Sequence, residues 1–324
     1  MSRVVVLPAL DAATYRRHAL HADDRVWVEK NCYIDVFIEV VHALGLEPLA
    51  MLGFVTAIDF EGDQWTFFKP PHDELRELYG LDVQELNVWR PLAEHVQTHL
   101  SAGRFVSTEA DAFYLPDTAG TDYQHQHTKT TIIIQDFDSE RRRLGYFHNA
   151  GYFALEGTDF AHLFRVDAPA DPTFMPLFAE LLHADRIVRR PVDELRAMAR
   201  VLLARHLGRR PADNPVSRFG LRFADDLPSI TKEGLAHYHA WAFATVRQLG
   251  AAFELAALHV EWLDDPALAP AAAAFTTISQ TAKAFILKAA RAVNAKRPLD
   301  ARPMFDEMAA AWQAGTGTLA ANLR

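Results

Sequence analysis

The hydrophobic pattern of this chain changes character once, near residue 170, and that change limits the folds open to it. Before it, stretches typical of strands alternate with short helical stretches, whereas almost every later apolar stripe repeats at three- and four-residue spacing. The change falls on residues 168–172, Ala-Pro-Ala-Asp-Pro, which have the composition of a linker. The sequence therefore predicts an α+β domain over residues 1–168 and an all-α domain over residues 169–324.

Two kinds of local signal support this division. The β-branched run 130–134 and the stretch 144–147, separated by a polar turn, predict a hairpin in the first domain. In the second domain, residues 193–207 predict a helix that ends before Gly208, and the apolar stripe over 275–293 predicts another. We interpret such stripes as packing surfaces rather than as a cofactor pocket.

Composition and charge exclude several classes of protein. The chain has 324 residues, a formal net charge of −9 and a single cysteine. A net negative chain lacks the basic footprint that nucleic-acid phosphates demand, and one cysteine cannot form an internal disulfide. Neither the start of the chain, with Pro8 soon after a short apolar stretch, nor any later run predicts a signal peptide or membrane span. We expect a cytoplasmic protein without nucleic-acid or membrane partners.

The single cysteine heads a predicted helix. Apolar residues recur after Cys32 at three- and four-residue spacing, and Gly45 follows the last of them as a stop signal. Amides at a helix start favour a thiolate, so Cys32 is a candidate nucleophile. Two observations leave an alternative open, because a free cysteine is often a small buried hydrophobe and Asp35 opposes a second negative charge one turn away.

A thiol nucleophile needs a histidine to take its proton and a third group to orient that histidine. His127 lies just before the 130–134 strand, and Asn149 lies at the end of the returning strand of the predicted hairpin. Adjacent antiparallel strands can bring the two together. We therefore predict His127 as the base and Asn149 as its orienting group, with His125 as the alternative base.

Other site types have weaker signals. The chain has no Gly-x-Gly-x-x-Gly or Walker-type loop. The pairs His125-x-His127 and His237-x-His239 could ligate a metal, but neither belongs to a His-Glu-x-x-His motif or a thiolate cluster. The loop 59–63 lacks the full spacing of an EF-hand. We expect no metal and no cofactor.

The order of these parts resembles the papain-like cysteine fold, in which a helix headed by cysteine precedes a strand opened by histidine. Within that superfamily the chain is most similar to bacterial acyltransferases of the butirosin side-chain type, whose N-terminal domain resembles leader peptidases. The run 111–116, Asp-Ala-Phe-Tyr-Leu-Pro, followed by Tyr123 and His127, is similar to that group's Asp-x-Tyr-Tyr-Leu-Pro run before its histidine. Residues 31–35, 59–70 and 145–152 more closely resemble an uncharacterised bacterial family, and this second resemblance implies no activity.

The resemblance implies a cysteine acyltransferase that takes an acyl or aminoacyl group from a carrier-protein thioester to an amine or hydroxyl acceptor. Asn31 and the Cys32 amide are candidates for holding the oxyanion, since amides at a helix start can do so. Four acidic residues would complement the positive charge of an ammonium group on the donor, and two residues of the run 111–116 complete the predicted substrate site. These residues are Asp35, Asp59, Glu61, Asp63, Asp111 and Tyr114.

Two further interpretations stay open from sequence alone. A peptidase or amidase needs the same three residues, because water in place of the acceptor changes the product only, and a non-catalytic scaffold needs none of them. Arginines cluster at Arg141, Arg142 and Arg143 on the predicted hairpin turn, and later at residues 186–190 and 205–210. We predict the 141–143 cluster as the docking surface for an acidic carrier protein.

Overall fold

A computed structural model of the chain describes residues 3–169 and 177–323. The described chain forms two compact units. The first contains the chain up to Ala22, Asn31–Pro48 and Pro71–Arg190, and the second contains Asp23–Lys30, Leu49–Pro70 and the chain from Pro191 onward. Two segments that lie early in the sequence therefore belong to the helical second unit.

The first unit is α+β, as predicted, and is built on one antiparallel sheet. Its helices are α1 (Cys32–Ala43), α2 (His72–Tyr79), α3 (Leu92–Ser101) and α4 (Thr158–Phe164), and its strands are β1 (Val4–Val5), β2 (Asp82–Glu85), β3 (Phe105–Asp111), β4 (Lys129–Asp138), β5 (Arg143–His148), β6 (Gly151–Glu156) and β7 (Ala179–His183). The strand order in the described chain is β2-β7-β3-β4-β5-β6, and β1 also pairs with β4.

The predicted hairpin is confirmed. Strands β4 and β5 pair antiparallel, with Ile132 opposite His148 and Ile134 opposite Tyr146. The alternation of the β4 side chains gives the strand two different faces. Ile132 and Ile134 join the core formed with α3 and α4, whereas Thr131 points to the other face, where α1 packs.

The boundary between the units differs from the one expected at residues 168 and 169. Strand β7 lies after that position, yet it pairs with both β2 and β3 inside the sheet. The compact units divide instead at Arg190 and Pro191. Residues 170–172 of the predicted linker lie outside the described part of the chain.

The second unit is helical, as predicted. Its helices are α5 (Val192–Gly208), α6 (Pro215–Glu233), α7 (Leu235–Ala244), α8 (Val246–Trp262), α9 (Ala269–Ala295) and α10 (Arg302–Asn322). The predicted stripe over 275–293 is confirmed as core, since Phe275, Ile278 and Phe285 of α9 are fully buried. An aromatic cluster joins α6, α7, α9 and α10 through Phe223, Trp241, Phe285 and Phe305. No helix in the described ranges is both long and apolar enough to span a bilayer.

Candidate active site

Cys32 is the first residue of α1, as predicted, and its side chain is half-buried. Asn31 caps this helix, because its side-chain oxygen accepts hydrogen bonds from the backbone amides of Tyr33 at 3.0 Å and Ile34 at 2.9 Å. The sulfur therefore lies at the positive end of a helix of 12 residues. The Asn31 side-chain oxygen accepts both of these bonds, so the amide nitrogen is the only group of this side chain that has the donor chemistry of the predicted oxyanion role.

The residue that faces the sulfur from the sheet is a threonine. The Sγ atom of Cys32 lies 3.9 Å from Oγ1 of Thr131 on β4. Thr131 is opposite Glu109 of β3 in the sheet register. On the neighbouring strand β5, His148 is opposite Ile132 of β4. Asn149 follows His148 in a turn and has a positive φ of 44°. Asn149 thus lies at the same end of strands β4 and β5 as the contact between Cys32 and Thr131.

His127 pairs with Asp111 in the structure. Its Nδ1 lies 2.6 Å from Oδ2 of Asp111, and its ring stacks on Phe113 with ring centroids 4.4 Å apart. Asp111 is opposite Lys129, the first residue of β4. The His127–Asp111 pair therefore also lies at the end of β4 where Cys32 contacts the sheet. With Nδ1 donating to the carboxylate, Nε2 keeps the lone pair that a general base needs.

The carboxylate beside Nδ1 of His127 is thus that of Asp111, a residue predicted from the sequence to lie in the substrate site, and the role predicted for Asn149 stays a prediction. The His127 side chain is 66% exposed, which leaves it room to turn toward a substrate. The ring of Tyr114, a predicted substrate residue, contacts the His127 ring edge-on at 6.3 Å. The alternative base, His125, lies exposed in the preceding loop.

Asp35 does not lie in a substrate site, contrary to expectation. Its side chain is fully buried, and Oδ1 lies 3.0 Å from Nε2 of His21. The other ring nitrogen of His21 contacts Glu39 one turn along α1. Burial opposes the charge of Glu39, but the hydrogen bond from His21 prevails and lowers the pKa of that carboxyl. Asp35 is therefore a structural partner of His21 and cannot reach a donor's ammonium group.

The acidic loop expected near Cys32 belongs to the second unit. Asp59, Glu61 and Asp63 lie in the segment 49–70, whereas Cys32 lies in the first unit. Asp59 forms an ion pair with Arg218 of α6. The pair gives Asp59 a structural role within the second unit.

Sequence reasoning missed a buried polar network on the opposite face of the sheet from α1. Nδ1 of His148 lies 2.6 Å from Oδ2 of Asp117, and Nε2 lies 2.8 Å from Oγ1 of Thr130. The hydroxyl of Tyr146 donates to Oδ1 of Asp117 at 2.5 Å. Burial and the nearby Asp117 charge raise the pKa of Tyr146. All four side chains are buried, so the network holds the loop after β3 onto β5.

A second missed cluster lies next to Cys32 in the chain. The hydroxyl of Tyr33 donates to Glu180 of β7 at 2.8 Å and lies 2.8 Å from Nε2 of His72 on α2. Burial raises the pKa of Tyr33, and the Glu180 charge adds to the rise. The only sequence signal for this cluster is the mixture of polar residues within otherwise apolar elements.

The structure defines an α+β unit with a cysteine at the first position of α1, and a helical unit. Within the described ranges, no group of three or more His, Cys, Asp and Glu side chains is arranged to hold a metal ion. Family models match residues 16–184 as a DUF1839 N-terminal domain and residues 192–321 as a DUF1839 C-terminal domain. The chain therefore belongs to the DUF1839 family. No curated protein matches it.

Proposed function

We propose that this protein is a cysteine-dependent acyltransferase in which Cys32 is the nucleophile and His127 the general base. The observation that carries the proposal is the placement of the half-buried thiol at a capped helix start, at the same end of strand β4 as the His127–Asp111 pair. A helix start favours the thiolate, and a carboxylate-bound imidazole is the usual base for such a nucleophile.

The proposed reaction has two transfers. The Cys32 thiol first gives its proton to Nε2 of His127. The resulting thiolate then attacks the carbonyl carbon of a carrier-protein thioester. The carbonyl–sulfur bond of the donor breaks, and His127 returns the proton to the departing thiol of the carrier. An amine or hydroxyl acceptor then attacks the acyl–Cys32 thioester while His127 takes its proton, which releases the product and the free thiol.

The arrangement of elements supports a papain-like origin for the first unit. A helix headed by cysteine packs on an antiparallel sheet, a histidine precedes the central strand β4, and Asn149 directly follows the neighbouring strand β5. One difference bears on the mechanism. The strand residue that contacts the sulfur is Thr131, and His127 lies four positions earlier, so the proposal requires Nε2 of His127 and the Cys32 thiol to approach each other while Nδ1 stays on Asp111.

The predicted docking arginines lie at the far end of the same strand. From Thr131 to the turn after Asp138, β4 extends about 23 Å at roughly 3.3 Å per residue. Arg142 pairs with Asp167 at 2.8 Å, and Arg143 lies 3.5 Å from Glu156. Two of the three charges thus have acidic partners within the protein, so reversal of Arg141 tests carrier docking without breaking either of these ion pairs.

The intact-protein mass tests the proposal directly. After incubation with an acyl thioester of pantetheine, we expect wild type to gain one acyl group and Cys32→Ala to gain none. His127→Ala should acylate far more slowly, and His125→Ala is the matched control that should behave as wild type. An adduct that persists in Cys32→Ala would refute the assignment. If the acyl group on wild type passes only to water when amines are offered, the protein is a hydrolase.

A further inference from the structure

The second unit contains a basic cleft that the proposed reaction does not use. Its volume is about 690 Å³, and it is lined by residues 25–29 together with Arg247 of α8 and Lys283 of α9. This volume lies within the range of roughly 300–1,000 Å³ typical of small-molecule sites.

The wall formed by residues 25–29 is fixed to the helices beneath it. The carboxylate of Glu254 on α8 accepts hydrogen bonds from the backbone amides of Val26 at 2.9 Å and Trp27 at 3.2 Å. The indole nitrogen of Trp27 donates to Ser279 of α9 at 3.0 Å. A β-carbon on Gly250 would lie only 2.3 Å from the Trp27 ring, so the indole packs directly on the α8 backbone. The cleft is therefore pre-organised.

The charges around the cleft are mostly positive. Arg25, Arg247 and Lys283 line it, and Glu29 is the only acidic residue among its lining residues. Arg247 is oriented by donating to the Glu29 backbone carbonyl at 3.1 Å, with its guanidinium 4.5 Å from the ring centroid of Phe243. The Nζ atom of Lys283 lies 4.6 Å from the centroid of the Trp27 ring. The Glu29 carboxylate lies 3.8 Å from the Arg247 guanidinium, so three cations and one carboxylate line the cleft in a chain whose net charge is −9.

We infer that this cleft binds the phosphate group of a small phosphate ester. Guanidinium groups present the planar donors that phosphate oxygens accept, and a lysine adds a point charge. Val26 and Val28, which are partly exposed, offer an apolar surface for the organic part of the ester. The inference does not depend on the reaction proposed for Cys32.

Equilibrium binding of three probes to the full chain tests this site. Calorimetric titration with 4′-phosphopantetheine and with inorganic phosphate should show binding that weakens as salt is raised, since the contacts are charged. Pantetheine, which lacks the phosphate, should bind much more weakly than 4′-phosphopantetheine. If inorganic phosphate binds but 4′-phosphopantetheine does not, the cleft is a phosphate-ion site rather than an ester site, and the inference as stated is overturned.

Variants locate the binding and separate it from the proposed catalysis. Arg247→Gln and Lys283→Gln should each weaken 4′-phosphopantetheine binding by about tenfold, because each removes one charge-assisted contact. Lys288→Gln, an exposed change elsewhere on α9, is the control and should bind as wild type. Cys32→Ala should also bind normally. Unchanged affinity in both Arg247→Gln and Lys283→Gln, with circular dichroism matching wild type, would overturn the site whether or not Cys32 proves to be a nucleophile.

Discussion

The imidazole of His127 and the carboxylate of Asp111 form a pair 2.6 Å apart, with the ring stacked on Phe113 and still largely exposed to solvent. Asp111 also accepts a hydrogen bond from the Phe113 amide at 3.1 Å. One carboxylate thus fixes both the histidine and the backbone turn beneath it. In the proposed reaction this makes Asp111 the positioning residue for the base.

We expect Asp111→Asn to slow acyl transfer, because the variant loses the charge that holds the imidazole in its productive tautomer. The loss should be smaller than the roughly 10²–10⁴-fold expected on removing a general base by His127→Ala. Single-turnover acylation, measured by intact mass across a pH series, separates the two, since Asp111→Asn should also shift the pH profile. If Asn149→Ala is the more damaging change, Asn149 is the orienting residue and Asp111 is not.

The parts of this fold that the sequence predicted correctly depend on local signals. Helix α1 begins at the predicted residue because Asn31 caps it, and Gly45 stops it with a φ of 70°. The β4–β5 hairpin follows from a β-branched run, a polar turn and a second apolar run, all within a few residues. Signals of this kind need no knowledge of the rest of the chain.

The parts that the sequence did not predict depend on contacts between distant residues. Asp35 looks like an exposed first-turn carboxylate until the preceding segment brings His21 against it. Residues 23–30 join the second unit because Glu254 and Ser279, more than two hundred residues later, hold Val26 and Trp27. The pairing of His127 with Asp111 similarly requires the register of β3 on β4.

The buried His148–Asp117 pair should contribute strongly to stability. Asp117→Asn keeps the shape of the side chain but turns one acceptor into a donor, which leaves either His148 or Tyr146 without an acceptor. We expect a loss of about 3 kcal/mol, typical of breaking a buried charged hydrogen-bonded pair. Urea unfolding measures it, and Asp159→Asn is the control. Asp159 pairs with Tyr123 near the surface at 2.9 Å, so a comparable loss there would contradict the argument.

Two glycine substitutions in helices of the second unit should have opposite effects. Gly250→Ala places a methyl group against the Trp27 ring and should destabilise the protein by about 1–3 kcal/mol, the usual cost of overpacking. A β-carbon on Gly317 of α10 meets nothing within 4 Å. Gly317→Ala should therefore stabilise the protein by roughly 0.5–1 kcal/mol through its better helix propensity. Thermal melting of both variants checks the contrast, and a Gly250→Ala protein as stable as wild type would mean that Trp27 does not pack on α8.

His259 should make the stability of the protein depend on pH below neutrality. It is fully buried on α8, its Nδ1 donates to the Leu49 carbonyl at 2.7 Å, and Nε2 has no hydrogen-bond partner among the described residues. Burial is the main reason that the pKa of His259 falls from an ordinary value of 6.5 to about 4; the hydrogen bond to Leu49 opposes this fall and the nearby His206 adds to it. Between these pH values the unfolded chain binds a proton that the folded chain does not.

The stability should therefore fall as the pH drops from about 6.5 to about 4, and above this window both states are neutral and His259 adds no pH dependence. A shift of this size corresponds to roughly 3 kcal/mol across the window. His259→Asn keeps a donor for the Leu49 carbonyl but cannot titrate, so its urea unfolding free energy should change less between pH 7 and pH 4.5 than that of wild type. Because other groups titrate in both proteins, the difference between the two curves isolates His259, and parallel curves would show that it does not stay neutral in the folded state.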